Sequence, residues 1–461
     1  MSAALLIAAI VSQTLAPDDV RRLALKQNRT IAESISEREL AQAHEREARG
    51  LDDPIFSIAG TGSLTDAGRD ALPSGQYAFF ATASGTAALT QPLPTGGSVA
   101  LSFNQNLLRT RDVGSPSTLA NTTSVLLTVS HSLLRGVGIA VARAPRFRAE
   151  FGTDLARWQA RGATLDTLRR ALVAYWELAY AQRELAIREQ SAALAHKQLE
   201  ATQANITVGK QPPSAAFEVQ TILLARQSAV AAAKQNLTDR SLDVRVLLAL
   251  PLDGALATSE LPEHEEAFNA VTEALVNSPA VRAAAVQLEL DGFNARISHN
   301  DLLPQLDVSV SAGPTGLAGT ANDAYGRLAG LHGYTVVGAL TFSEALPNRA
   351  AQGRIAATAA IRRKSELSLT DVRVAVEQGA RSALAQYQSA HDRSAMAAQA
   401  VAIASDDVAG EEARFVAGRS TNYDVLRRQD ELAQAQLQLV RARVDGLQTA
   451  AILHALMGEM P

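Results

Sequence analysis

The residues that could do chemistry are eight histidines and a few glycine pairs, and none has the spacing of a known site. His44 and His264 are each followed by glutamate, but a zinc-protease helix needs a second histidine four residues after the first. Gly60–Gly62 and Gly136–Gly138 lack the rest of a dinucleotide fingerprint, and Gly209-Lys210 lacks the partner residues of a phosphate loop. We therefore predict no catalytic site, no cofactor site and no metal site.

The composition excludes several further classes of protein. Lys+Arg 43 against Asp+Glu 47 gives a net charge of -4, so there is no electrostatic footprint for nucleic acid. Cys 0 excludes disulfides, thiolate metal sites and lipidated cysteines. Apolar residues make up 47% but aromatic residues only 4%, which indicates close-packed helices rich in Ala, Leu and Val. There is no apolar run of about 18 residues, which excludes transmembrane helices and leaves strands as the elements that could meet a bilayer.

The chain contains an internal repeat. Ala24–Asn28 aligns with Ala274–Ser278, and Ala204–Lys210 aligns with Ala413–Arg419. Glycine and proline positions coincide as well as alanines, so the similarity is more than shared helical composition.

Each repeat is predicted to contain a helix, two membrane strands, a long helix, a hairpin tip and a returning helix. The first repeat covers 17–255, with strands within 54–133, a long helix near 146–207, a tip near 208–213 and a return helix to about 250. The second covers 256–461, with strands within 304–343, a long helix near 348–416, a tip near 417–422 and a return helix to about 457. Residues 1–16 resemble a signal peptide, although no Lys or Arg precedes the apolar stretch.

The long helices each carry two heptad lines of apolar residues, offset by five residues or roughly 140°. One line runs from Val173 to Val208 and the other from Leu178 to Ile206; Met396-Ile403 and Val401-Phe415 repeat the arrangement. Two seams suit a helix in the wall of a hollow helical barrel. A wide core-facing stripe in a solid bundle is the alternative.

The hairpin tips are specified by glycine followed by a basic residue. Gly209 and Gly418 suit the left-handed position that ends a helix, and Lys210 and Arg419 complement the helix dipole. Both segments therefore predict tight antiparallel hairpins.

The strand regions alternate between apolar and polar residues, as in 124–130, where Leu126 is the exception, and in 306–313. About four strands are too few to close a large barrel in one chain. They form either a small sheet on a soluble core or one sector of a barrel completed by other copies; the repeat favours the sector. Extra residues near 65–120, including Gln91–Gly97, form either an added hairpin or a longer bent strand.

Taken in order, six motifs resemble the TolC-like outer-membrane efflux proteins over essentially the whole chain. They are the helix-to-strand entries Ala24–Asn28 with Asp53-Pro54 and Ala274–Pro279 with Leu302–Leu306, the strand-to-helix returns Ser132–Gly138 and Leu346–Ala351, and the two hairpin tips. The resemblance implies a mainly helical protein with a β-barrel sector. Three copies would form a twelve-stranded barrel in the outer membrane and a helical periplasmic tunnel.

The resemblance also implies a function. The protein would be a passive exit duct for tripartite efflux or type I secretion, docked by a periplasmic adaptor that links it to an inner-membrane pump. Gly209, Lys210, Gly418 and Arg419 would be possible adaptor contacts.

Asp424, six residues after Gly418, matches an acidic position that rings the closed entrance in this family. Three converging carboxylates would repel one another and attract cations. The next acidic position is Arg427, and the first-repeat equivalent of Asp424 is Ala215, so a second ring is not expected. The alternative is that Asp424 is a solvated or hairpin-stabilising aspartate. For the whole chain, the alternative to a channel is a soluble periplasmic helical scaffold.

Overall fold

The structure, a computed structural model, describes residues 14–66, 77–112, 116–254, 256–262 and 270–459. Ten helices and six strands lie in these residues. The helices are α1 Pro17–Gln27, α2 Arg29–Arg49, α3 Ile139–Ala142, α4 Ala144–Thr207, α5 Ser214–Leu247, α6 Ala270–Asn277, α7 Pro279–Ser298, α8 Ala321–Ala329, α9 Arg349–Val416 and α10 Asn422–Leu456. The strands are β1 Ile55–Asp66, β2 Tyr77–Leu93, β3 Gly97–Asp112, β4 Thr118–Ser132, β5 Gln305–Ala318 and β6 Tyr334–Ser343. No helix among the described residues is long and apolar enough to cross a membrane.

The chain divides into two compact units. The first contains both helical hairpin tips and has a core centred on the fully buried Tyr175 and Leu178. The Tyr175 hydroxyl donates to the Leu15 carbonyl at 2.8 Å, and Leu15 pairs with Thr258 in an isolated β-bridge. Residues 1–13 of the predicted signal peptide lie outside the described residues.

The second unit, residues 39–155 and 286–367, contains one antiparallel sheet of six strands in the order β1-β2-β3-β4-β5-β6. The expectation of two strands in each repeat is wrong for the first repeat, which has four. The count of about four strands per chain is therefore wrong as well, since the described residues contain six, and the twelve-stranded barrel implied by the family resemblance rests on four. The extra residues form an added hairpin, β2–β3, and not a longer bent strand.

The β2–β3 turn is bonded to the start of the helical return. The amide of Gly138 donates to the Thr95 carbonyl at 3.0 Å, and that of Ser132 donates to the Gly96 carbonyl at 3.3 Å. Gly96 has φ +101°, a conformation that side chains disfavour. A Cβ on Gly97 would lie 2.2 Å from the Ser130 carbonyl oxygen. Glycine is required here because two backbones meet without room for a methyl group.

We predict that Gly97→Ala lowers the stability of the sheet by about 1–3 kcal/mol, because the added methyl group forces β3 and β4 apart. Gly85→Ala is the matched control, since a Cβ there has no neighbour within 4 Å. Thermal unfolding of the detergent-solubilised protein would measure the difference. Equal midpoints for the two variants would contradict the close approach.

Candidate functional site

The sheet has one continuous apolar face. Its antiparallel register places Phe56 opposite Leu89, Leu89 opposite Leu101, and Leu101 opposite Leu127. The same face continues through Val310, which is opposite Val129. Its side chains are exposed in the single chain, and the most exposed are Phe56 66%, Ile58 75%, Leu64 70%, Tyr334 83%, Val336 64%, Leu340 68% and Phe342 63%. An exposed apolar surface of this extent needs lipid or another protein to cover it.

The opposite face is lined with hydroxyl and amide groups that bond across the strands. These bonds join Thr61 to Ser84 at 2.6 Å, Ser63 to Thr82 at 2.7 Å, Thr86 to Asn104 at 3.1 Å, Ser98 to Ser130 at 2.8 Å and Thr128 to Ser311 at 2.8 Å. Apolar-out and polar-in alternation of this kind is typical of a transmembrane barrel wall.

A polar interruption of the apolar face is covered by protein. Thr123 is fully buried, donates to Gln105 on β3, and lies opposite Gly316 on β5. Helix α8 packs on β4 and β5 beside Gly316, where an added Cβ would lie 2.0 Å from the Ala324 carbonyl oxygen. Tyr325 of α8 stacks on Phe103, with ring centroids 6.5 Å apart. The helix therefore shields polar groups that lipid could not satisfy.

Both edges of the sheet are open. Within the described residues β1 pairs only with β2, and β6 pairs only with β5. The two edge strands have 12 and 10 residues, respectively, long enough to cross the hydrocarbon core when tilted. Each therefore presents a row of unpaired backbone donors and acceptors.

The two hairpin tips in the first unit have the same backbone geometry. Gly209 has φ +73° and Gly418 has φ +70°. The amides of Gly209 and Lys210 donate to the carbonyls of Ile206 and Asn205 at 2.9 and 2.8 Å. At the second tip, Gly418 and Arg419 make the equivalent bonds to Phe415 and Arg414, both at 2.9 Å. Each helix thus ends in a Schellman motif, which satisfies its last carbonyls.

Asp424 belongs to a capping box at the start of α10. The Thr421 hydroxyl donates to the Asp424 carboxylate at 2.6 Å, and the Thr421 amide donates to it at 3.2 Å. These bonds, together with nearby Arg427 and Arg428, lower the pKa of the Asp424 carboxyl below its ordinary value. Helix α5 has no side-chain cap at the equivalent place. The second tip is therefore the more firmly capped of the two.

The two tips are tied together by polar side chains. Gln198 on α4 donates to Asn422 at 2.6 Å, and Asn422 in turn donates to Gln211 at 3.4 Å. Asn422 is itself buried. These bonds hold the start of α10 against the first hairpin.

Arg226 is a buried residue that sequence reasoning missed. It is 7% exposed and donates to the carbonyls of Ser191 on α4 and Leu426 on α10, at 2.8 and 2.7 Å. Burial lowers the pKa of its guanidinium, while Asp430 acts in the opposite direction. Its helical spacing could have indicated this burial, because Arg226 lies on the same face of α5 as the apolar residues Val219 and Leu223.

One of the two apolar seams of α9 is uncovered. Met396 and Ile403 are 60% and 65% exposed, whereas Val401, Val408 and Phe415 are half-buried. A seam left open in one chain is what a helix needs if its second neighbour belongs to another copy.

We predict that Arg226→Met lowers the free energy of unfolding by about 2 kcal/mol, because two buried carbonyl groups lose a charged donor. Arg427→Met is the control: Arg427 is 62% exposed and pairs with Glu431 on the surface of its own helix, so its loss should cost less than about 1 kcal/mol. Chemical denaturation followed by circular dichroism would compare them. Equal losses of unfolding free energy in the two variants would show that Arg226 does not hold α4, α5 and α10 together.

We predict that Thr421→Ala lowers the free energy of unfolding by about 1 kcal/mol, because it removes the side-chain cap of α10. Thr207→Ala is the control, since that hydroxyl donates to the Gln203 carbonyl one turn back in its own helix and caps no helix start. Because folding lowers the pKa of Asp424, its charged form stabilises the folded protein. This contribution to the free energy of unfolding is complete above the ordinary aspartate pKa of about 3.9 and is lost as pH falls through the pKa of Asp424 in the folded protein. The gap in thermal midpoint between wild type and Thr421→Ala should therefore shrink on acidification. A pH-independent gap would argue against an ionised Asp424 in the cap.

Comparison with known proteins agrees with this geometry. Residues 270–459 match the family model described as outer membrane efflux protein. Outer membrane efflux protein BepC of Brucella suis is 25% identical over 305 residues; the aligned part spans 64% of this chain and 64% of BepC.

Solved outer-membrane proteins share the fold. VceC of Vibrio cholerae superposes with a TM-score of 0.70 at 14% identity, covering 96% of both chains. The open-state MtrE outer membrane channel of Neisseria gonorrhoeae superposes with a TM-score of 0.68 at 13% identity, covering 96% of this chain and 89% of MtrE. In residues 270–459 the chain matches the outer membrane efflux protein family, and over nearly its whole length it has the fold of these solved outer-membrane proteins.

Proposed function

We propose that the protein is an outer-membrane exit duct of a tripartite efflux or type I secretion system. The observation that carries the proposal is the sheet with an exposed apolar face, a hydroxyl-lined opposite face and two open edges. In this proposal the apolar face meets outer-membrane lipid and the hydroxyl face lines a water-filled exit. Transport is passive, because the energy comes from the inner-membrane pump.

In this proposal the duct is a homotrimer. Neighbouring copies would pair the open strand edges, and they would cover the exposed Met396-Ile403 seam of α9. The helices would then line the periplasmic part of the duct.

The tips are the proposed contacts of the periplasmic adaptor. Gly209, Lys210, Gly418 and Arg419 are all exposed. Val208 and Val416, which precede the tips, are 66% and 87% exposed, so apolar and basic groups stand side by side. This pairing of exposed apolar surface and positive charge suits a partner helix hairpin with apolar and acidic residues.

A soluble periplasmic scaffold is the rejected alternative. Its sheet would expose Phe56, Ile58, Leu340 and Phe342 to water on one face, with nothing in the described residues to cover them. Soluble proteins rarely expose a continuous apolar patch of this kind.

Membrane fractionation with amine cross-linking tests the proposal. We expect the protein in the outer-membrane fraction as a trimer, and we expect the purified trimer to conduct ions across a planar lipid bilayer. A monomer in the soluble periplasmic fraction would overturn the proposal.

We also propose that Asp424 contributes a ring of three carboxylates at the entrance. Within one chain the bonds from Thr421 lower the pKa of the Asp424 carboxyl and so favour its charged form. The capping role seen in one chain and the ring are compatible, because the Thr421 bonds leave the negative charge in place.

Asp424→Asn should reduce cation block of the channel, measured as conductance across a series of divalent-cation concentrations. Thr421→Ala separates charge from capping, because it removes the cap and keeps the carboxylate. Loss of block in Asp424→Asn alone supports the ring. Equal loss in both variants, or unchanged block in Asp424→Asn, would contradict it.

A further inference from the structure

This inference rests on the proposed trimeric duct. We propose that three copies of the chain close a barrel of eighteen strands, six from each, with the β2–β3 hairpin forming part of the wall. The exit would be wider than that of a twelve-stranded barrel. The partner at each open edge is a second copy of this chain.

The hairpin has the two faces of a wall segment. Ala87 on β2 lies between Ile58 on β1 and Phe103 on β3, on the apolar face. On the other face Thr86 bonds Asn104 at 3.1 Å, continuing the hydroxyl lining from β1 to β4. A hairpin lying outside the wall would have no reason to continue both faces in register.

The hairpin is also integrated at its turn. Thr95 and Gly96 accept bonds from the amides of Gly138 and Ser132, at the corner where β4 leads into the helices. The His131 ring bonds the Thr95 hydroxyl at 2.9 Å. The turn is therefore fixed beside the other strand ends, and β2 and β3 span the same height as β4.

The edges fit copies of the same chain. A sheet of six consecutive antiparallel strands has its first and last strands running in opposite directions, so β6 of one copy can pair antiparallel with β1 of the next. The strands have similar lengths, 12 and 10 residues. A contact that uses two different edges is head-to-tail, and rotation can close it into a ring.

The apolar face restricts the register of this seam. Phe56 and Ile58 must fall on the same side as Leu340 and Phe342, because a slip of one residue would reverse the faces of a strand. Even-numbered residues of β1 therefore pair with even-numbered residues of β6, and odd with odd.

Strand number determines width. At equal tilt the barrel diameter grows roughly in proportion to the number of strands, so eighteen strands give about 1.5 times the diameter of twelve. Natural barrels of 16–18 strands enclose an aqueous channel.

Cryo-electron microscopy of the wild-type protein in lipid nanodiscs tests the strand count without any substitution. Eighteen strands in the barrel cross-section are expected. A trimer with twelve strands would overturn this inference and leave the proposed function standing. A protein that is neither trimeric nor embedded in the membrane would overturn both.

Engineered disulfides test the seam, since the chain has Cys 0. Ala59→Cys is combined in turn with Val337→Cys, Ala339→Cys and Thr341→Cys, and one combination should give disulfide-linked dimers and trimers on a non-reducing gel. Ala59→Cys with Leu340→Cys is the control, because the two thiols would lie on opposite faces. Failure of all three pairs in an intact trimer, or cross-linking of the control alone, would overturn the seam.

A second pair tests whether the hairpin lies in the wall. Ser63→Cys with Thr82→Cys replaces two hydroxyls that bond at 2.7 Å across β1 and β2, so a disulfide within one chain is expected in the assembled trimer. Mass spectrometry of peptides from the trimer band would detect it. Its absence in a trimer that is otherwise intact would place β2 outside the wall and overturn the eighteen-strand barrel.

Discussion

The constraint on which the structure depends is that backbone hydrogen bonds cannot be left open in a lipid environment. Each unsatisfied amide or carbonyl in the hydrocarbon core costs several kcal/mol, so a sheet can span a bilayer only when it is closed. This sheet is open at β1 and β6 in the single chain. Within the proposed function, the membrane part is therefore incomplete as a monomer, and assembly becomes a condition of insertion.

The same logic extends to the side chains of the sheet. The apolar face is covered where polar residues interrupt it, since α8 packs beside buried Thr123. Hydroxyl groups on the other face bond to one another across neighbouring strands. Short Ser and Thr side chains satisfy part of their bonding capacity within the wall and leave the enclosed space free.

At the hairpin tips a few polar groups determine local order. Two Schellman motifs end the long helices in the same way, but only α10 begins with a capping box. Arg226 then joins α4, α5 and α10 through backbone carbonyls. A charge buried in this way is sensitive to any separation of the three helices, because water would have to replace its carbonyl contacts.

Local sequence was enough for much of the architecture. The long amphipathic helices and the glycine tips follow from periodicity and backbone preference, which depend on neighbouring residues alone. The repeat follows from comparing the two halves of the chain. Alternation in 124–130 and 306–313 correctly separated the two faces of β4 and β5. Strand β2 was not predicted from the sequence, because Ala, Gly, Ser and Thr make up most of it and its two faces therefore differ little in hydrophobicity.

Only the tertiary structure decided the strand count, the covering helix and the role of Arg226. Each depends on contacts outside its own segment. Strand β2 is defined by its pairing with β1 and β3, Thr123 is buried by a segment about 200 residues away, and Arg226 is held by carbonyls on two other helices. The sequence alone determined what each segment prefers to be. Which segments meet is decided by the summed burial and hydrogen bonding of the folded chain, which no local pattern records.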